Sequence, residues 1–133
     1  MATIANAHIG RDHYKVTIKA GKNTVIADEG EDKGGKDEGF NPFELFIASL
    51  GACTCVTVRM YADRKQINLE EIKVNLSFER DEAKNVTNIT RQIEFTGALT
   101  DAERNHLIEI ANKCPVHKVM SNPIHIATQL VGA

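Results

Sequence analysis

Three cysteines are the residues of this chain best suited to chemistry: Cys53 and Cys55, separated by Thr54, and Cys114, followed by Pro115. A thiolate is a strong nucleophile and the start of a reversible oxidation ladder, so redox chemistry comes first among the possibilities. The count is odd, and no basic patch followed by an apolar run opens the chain. Both facts point to a reducing compartment, the cytoplasm, rather than to a disulfide framework. On a helix, residues two apart lie about 200° from one another around the axis. Cys53 and Cys55 therefore cannot face one site, nor bond each other without breaking the helix, and one of them is a small packing residue. Cys114 has a different setting. Pro115 suits the first position of a helix, which puts Cys114 at the N-cap, where free amides and the helix dipole favour a thiolate. His117, three residues on, invites a metal site with the thiols. Two or three ligands without a further cluster fall short of a structural zinc site, so no metal or cofactor is expected.

The element that must position Cys53 starts at Phe40-Asn41-Pro42-Phe43-Glu44-Leu45. Asn41 is a good N-cap, Pro42 fits the first turn, and Glu44 can reach back to the cap amide. From Leu45 to Val58 there is no charged residue, so the predicted helix is apolar on every side and is expected to be buried all round. It is too short and too rich in Ser, Thr and Gly to read as a membrane span. A chain of 133 residues has little interior in which to surround such a helix, and a partner subunit would finish covering it. Hydrophobic content of 42%, charged content of 26% and a net charge of −2 are those of a soluble domain. They give no electrostatic reason to expect nucleic acid or a membrane surface as partner.

The remaining segments read as β-structure and two further helices. Strands are predicted over Thr3–Ile9, Tyr14–Ala20 and Thr24–Ala27, the last two forming a hairpin through Gly21-Lys22-Asn23. Asp28–Gly39 carries glycines and charges and no apolar residue, and reads as a solvated loop that could rim a site. Ile72–Glu79 alternates as a half-buried strand, a polar turn follows at 81–85, and Asn88–Gly97 returns, with Arg91 interrupting its apolar face. Thr100-Asp101-Ala102-Glu103 is a capping box that opens a helix ending near Lys113, before the short helix Val116–Met120. Ile124, Ile126, Thr128 and Leu130 predict a closing strand. The order β-β-β-α-β-β-α-β lacks the rhythm of a parallel sheet, so the fold class is α+β, in one domain over residues 1–133.

Asn41-Pro42-Phe43-Glu44-Leu45, Ser49-Leu50-Gly51-Ala52-Cys53 and Cys114-Pro115-Val116, in this order, resemble the OsmC/Ohr superfamily, the osmotically inducible and organic-hydroperoxide-resistance proteins. The resemblance runs over nearly the whole chain. It implies an intertwined homodimer with the central helices buried at its interface, and a two-cysteine thiol peroxidase. Cys53 would attack the peroxide, Cys114 would resolve the sulfenic acid as a Cys53–Cys114 disulfide, and an external dithiol would reduce it. Cys55 lies outside the motif and is left as packing.

A thiol in an apolar run is held protonated by its surroundings and needs a cation to ionise near neutral pH. In the hydroperoxide-resistance branch that cation is an arginine from the N-terminal strands, held by a carboxylate on the central helix. Arg11 stands at a similar place in this chain and is the candidate activator. The carboxylate of that branch directly follows the proline, where this chain has Phe43. Glu44 is one residue later, a turn of about 100°, and either joins the site or caps its own helix. A different class of function is a non-enzymatic dimer that binds a small apolar or electrophilic ligand in the interface cleft, with the thiols vestigial or sensory. The retained Cys53 and Cys114 favour the peroxidase, and the missing carboxylate at position 43 favours the binder.

Overall fold

The computed structural model describes residues 2–132, which form two compact units along the chain. One unit comprises the chain up to Ala48 together with Phe78–Ile89, and the other comprises Ser49–Ser77 with the residues from Thr90. The elements, in order, are strands β1 (Asn6–His8), β2 (Val16–Ala20) and β3 (Asn23–Ala27), helix α1 (Pro42–Arg64), strands β4 (Glu71–Asp81) and β5 (Val86–Thr96), and helices α2 (Asp101–Ala111) and α3 (Pro115–Met120). The α+β class expected from the sequence is the one found.

In the first unit β2 is the centre of an antiparallel sheet of order β1-β2-β3. Ala20 pairs with Asn23, so the turn between β2 and β3 is Gly21-Lys22, and Gly21 takes the positive φ of 60° that suits a residue without Cβ. The Asp28–Gly39 segment is more ordered than its composition predicts. The carboxylate of Asp28, only 2% exposed, accepts backbone N–H groups from Tyr14 and Glu29 on one oxygen and from Lys36 and Glu38 on the other. A side chain at Gly35 or Gly39 would collide with the backbone carbonyls of Glu29 or Ile26, so the loop needs glycine to fold this tightly. Helix α1 then opens on the reciprocal cap read from the sequence. Asn41 Oδ1 accepts from the Glu44 N–H, and Glu44 Oε1 accepts from the Asn41 N–H, both at 2.8 Å.

In the second unit the core gathers Val58 and Ala62 of α1, Leu69, Phe95 of β5, and Leu107 and Ala111 of α2. Arg59 donates to the carbonyls of Leu69 and Glu70, at 2.8 Å each, and so fixes the chain between α1 and β4. The capping box of Thr100 and Glu103 starts α2 as expected. Pro115 starts α3, with Cys114 as its N-cap. The 82–85 turn links β4 to β5, which pair as a two-stranded sheet.

Two expectations are corrected. The closing strand predicted over Ile124–Leu130 is absent among the described residues: Ile126 is 85% and Leu130 96% exposed. A strand needs an edge to pair with, and no pairing forms there among the described residues. The central helix, expected to be buried on all sides, buries only Leu50, Thr54, Val58 and Ala62 within the chain. These lie four apart, on one stripe, and Val56 and Met60 are exposed at 51% and 64%. By length and apolarity the 23-residue α1 would also suit a membrane span, but its buried stripe packs into a protein core.

Burial raises the pKa of Asp28, and the four backbone N–H groups outweigh that and hold its carboxyl below the usual range. A depressed carboxylate stabilises fully above the unfolded value of about 3.9, and that contribution is lost as pH falls through the lower folded value. Asp28→Asn keeps one acceptor oxygen and replaces the other with a donor. Amide exchange at Lys36 and Glu38 should therefore be at least about tenfold faster at neutral pH, since a buried N–H loses its partner. Equal exchange in the variant and the wild type would refute the latch.

Candidate thiol site

Every contact of the candidate site lies within the second unit. Cys53 sits one residue before the buried Thr54, at the margin of the α1 stripe, and is partly exposed. Cys114 is fully buried. Its sulfur caps α3 by accepting the His117 N–H at 3.4 Å. The start of the same helix acts on the Cys53 sulfur: the Val116 N–H and the Cys114 thiol both favour its thiolate. The Thr57 hydroxyl, one turn along α1, stands 3.8 Å away. The two thiols singled out by the sequence are thus brought together, and no disulfide joins them.

The cation of the site is Arg91 of β5. Its Nη1 donates to Thr54 Oγ1 at 3.0 Å, and its Nη2 donates to Asn112 Oδ1 and to His117 Nδ1, each at 2.9 Å. Thr54 in turn donates to the Leu50 carbonyl at 2.6 Å, so its hydroxyl lone pair is aimed at the guanidinium. A guanidinium only donates, so the contact is a hydrogen bond in the tautomer that carries its proton on Nε2. Burial pushes the Cys53 thiol up. The Val116 N–H, the Cys114 thiol, the Thr57 hydroxyl and the charge of Arg91 together outweigh this and bring it below the usual thiol range. The group is a partly exposed sulfur primed as thiolate beside a sealed second sulfur. That pairing suits attack on an electrophile followed by disulfide closure.

Arg91 was read in the sequence only as a break in an apolar face. The signal was present: Ile89, Arg91, Ile93 and Phe95 share the inward face of β5, where burial alternates residue by residue. A cation at an inward register position must find acceptors, and the ends of α2 and α3 provide them. Arg11 and Glu44 belong to the first unit. Arg11 is exposed in the bend between β1 and β2, and the Glu44 carboxylate is engaged by the Asn41 N–H. No group of three or more metal-ligating side chains occurs among the described residues.

The family model described as OsmC-like protein matches residues 34–129. Among solved structures the chain is similar to an OsmC-like protein from Mycoplasma pneumoniae, at 18% identity and a TM-score of 0.78, over 91% of this chain and 88% of the other. It is also similar to an organic hydroperoxide resistance protein OsmC from Legionella pneumophila, at 27% identity and a TM-score of 0.67, over 90% and 89%. A third is the organic hydroperoxide resistance protein OhrB of Bacillus subtilis, at 23% identity and a TM-score of 0.60, over 90% of each chain. The comparison with curated proteins found no match.

Removing the guanidinium should return Cys53 toward an ordinary thiol. In a Cys55→Ser background, Arg91→Ala should slow alkylation of Cys53 at pH 7, because one of the groups that favour its thiolate is removed. The thiolate absorbance should shift to higher pH in parallel. An unchanged titration in Arg91→Ala, with a shift in Arg11→Ala instead, would move the activating role to Arg11.

Proposed function

This chain belongs to the OsmC-like protein family, and on that premise we propose that it is a thiol-dependent peroxidase acting on organic hydroperoxides or hydrogen peroxide. The observation that carries the reading is the partly exposed, charge-stabilised Cys53 in contact with a fully buried Cys114. The Cys53 thiolate attacks the distal peroxide oxygen; the O–O bond breaks, sulfur is oxidised to the sulfenic acid, and the departing alkoxide takes up a proton as the alcohol. Cys114 then attacks the sulfenic sulfur. The S–O bond breaks, water leaves with the thiol proton, and the Cys53–Cys114 disulfide closes. An external dithiol restores both thiols, which suits a reducing cytoplasm and a role in stress defence. Arg91 stabilises the attacking thiolate, and the seclusion of Cys114 leaves Cys53 as the sulfur that a substrate meets first.

The homodimer belongs to the same proposal. The exposed Val56 and Met60 on α1 and the exposed Ile126, Leu130 and Val131 at the C-terminal end are apolar groups that this chain leaves in water. A second copy would cover them, with the C-terminal segment pairing as a strand on that copy. The non-enzymatic reading has one observation of its own. In the first unit a cavity of about 370 Å³ is lined by Pro42, Phe43, Phe46, Phe78, Arg80 and Thr87, with Phe43 stacked on Phe78 at 4.7 Å. Such an aromatic wall with one cation suits a small apolar anion.

Peroxide consumption with dithiothreitol as reductant separates the two readings: turnover lost in Cys53→Ser and in Cys114→Ser supports the peroxidase, and no turnover in the wild type supports the binder. A small excess of peroxide should produce a Cys53–Cys114 bridge and spare Cys55, as peptide mapping will show; a dominant Cys55 bridge would refute the site. Unfolding midpoints should rise with protein concentration, as for any obligate dimer. A monomer in light scattering at micromolar concentration would end that part of the proposal.

A further inference from the structure

Two threonines of α1 use their hydroxyl protons differently. Thr54 gives its proton to the Leu50 carbonyl four residues back, at 2.6 Å, the familiar bond of a threonine inside a helix. The Thr57 hydroxyl also meets the residue four back, but at its side chain: Oγ1 lies 3.8 Å from Sγ of Cys53. Both Thr57 and Cys53 are partly exposed. An ionised sulfur has no proton to give, so in that state the hydroxyl is the donor. The contact is long beside the roughly 2.7 Å of an ordinary O–H···O bond. A donor so loosely held is free to turn to a better acceptor. We propose that Thr57 is a catalytic residue of the peroxide step, whose hydroxyl turns from the sulfur to the departing alkoxide during attack. The inference rests on the peroxidase reading of Cys53 and adds the group that accompanies the leaving oxygen.

Charge moves during the attack, and the hydroxyl is placed to follow it. Before the attack the negative charge sits on Cys53 Sγ. As the S–O bond forms and the O–O bond breaks, the charge passes to the alkoxide oxygen. The terminal peroxide oxygen stays on sulfur with its hydrogen, as the sulfenic acid. Thr57 loses no proton in this step; only its hydrogen bond changes acceptor, and a proton from solvent completes the alcohol. Any atom that bonds to Sγ enters the space that Oγ1 borders, and the hydroxyl hydrogen rotates freely about the Cβ–Oγ1 bond. The Val116 N–H, fixed in the backbone of α3, favours the thiolate but has no such freedom. A compact alkoxide is a strong acceptor, and its hydrogen bonds are short. An interaction that is weak with the ground-state sulfur and strong with the developing oxyanion accelerates the step; one equally strong in both would not. It also gives selectivity, because an electrophile whose leaving group accepts hydrogen bonds poorly, such as iodide, gains little from Thr57.

The test compares two reactions of one sulfur in a Cys55→Ser background, each at a pH where the thiolate absorbance of Cys53 is complete in every variant. That choice removes differences in thiolate fraction. tert-Butyl hydroperoxide reports the step with an alkoxide leaving group, through single-turnover loss of the free Cys53 thiol. Iodoacetamide, followed by the mass of the labelled Cys53 peptide, reports a step without one. In Thr57→Val the peroxide reaction should slow by about a hundredfold, the scale set by removing one donor from a developing oxyanion, while alkylation changes little. Thr57→Ser keeps the hydroxyl and should recover most of the peroxide rate. Equal slowing of both reactions in Thr57→Val would overturn the proposal, since it would mark a general effect on the thiol or on the helix. So would a serine variant as slow as the valine one. A wild type that alkylates at Cys53 but is not oxidised there would remove the peroxidase reading and this role with it. Oxidation that proceeds equally fast in the wild type and in Thr57→Val would remove the role alone.

Discussion

The thiol site depends on the donors that act on a sulfur which burial alone would keep protonated: the Val116 N–H, then the Cys114 thiol, the Thr57 hydroxyl and the charge of Arg91. The identity of the groups that hold Arg91 matters as much as its presence. An arginine paired with a carboxylate presents a dipole, and much of its field is cancelled at a short distance. Thr54, Asn112 and His117 hold the guanidinium through lone pairs without cancelling its charge. The charge of Arg91 therefore adds to the donors that favour the Cys53 thiolate. The Val116 N–H adds a directed donor from the start of α3. The site thus combines a charge from a strand, a backbone amide from a helix start and a hydroxyl from the thiol's own helix.

The same arrangement divides labour between the two sulfurs. Cys53 lies at the edge of the buried stripe of α1, so its sulfur keeps a path to solvent, and Cys114 has none. Cys114 earns its place structurally even when reduced, because its sulfur caps α3 through the His117 N–H. Cys55 is a helix half-turn away from Cys53. Thr54 links the backbone of α1 to the guanidinium: its hydroxyl is oriented by the Leu50 carbonyl before it accepts from Arg91. Replacing it with valine would keep the volume and remove that link.

Much of this was legible in the sequence where local rules decide. The caps of α1, α2 and α3 follow from Asn41 and Glu44, Thr100 and Glu103, and Cys114 and Pro115, each within four residues of its partner. The Cys53 and Cys114 pair came from the family resemblance together with those caps. What escaped was long-range. Arg91 reaches Thr54 across 37 positions and His117 across 26, and no local pattern encodes such contacts. Asp28 escaped for another reason: a lone carboxylate among charged and glycine residues looks like solvated loop until the chain folds its own amides around it. The final segment was misread because alternation predicts a strand without saying whose edge it pairs with.

The placement of the carboxylates explains why the cation is held as it is. Position 43, where the hydroperoxide-resistance branch has its carboxylate, is Phe43 here, stacked on Phe78. Glu44, the nearest acid, is engaged with the Asn41 N–H at the helix start, and Asp28 is taken up by four backbone amides. Both acids serve backbone donors, where a carboxylate gains most and competes with no guanidinium. Arg91 is held by other means. Neutral acceptors do so at the cost of weaker bonds than an ion pair would give. The gain is that the charge stays available to the thiolate.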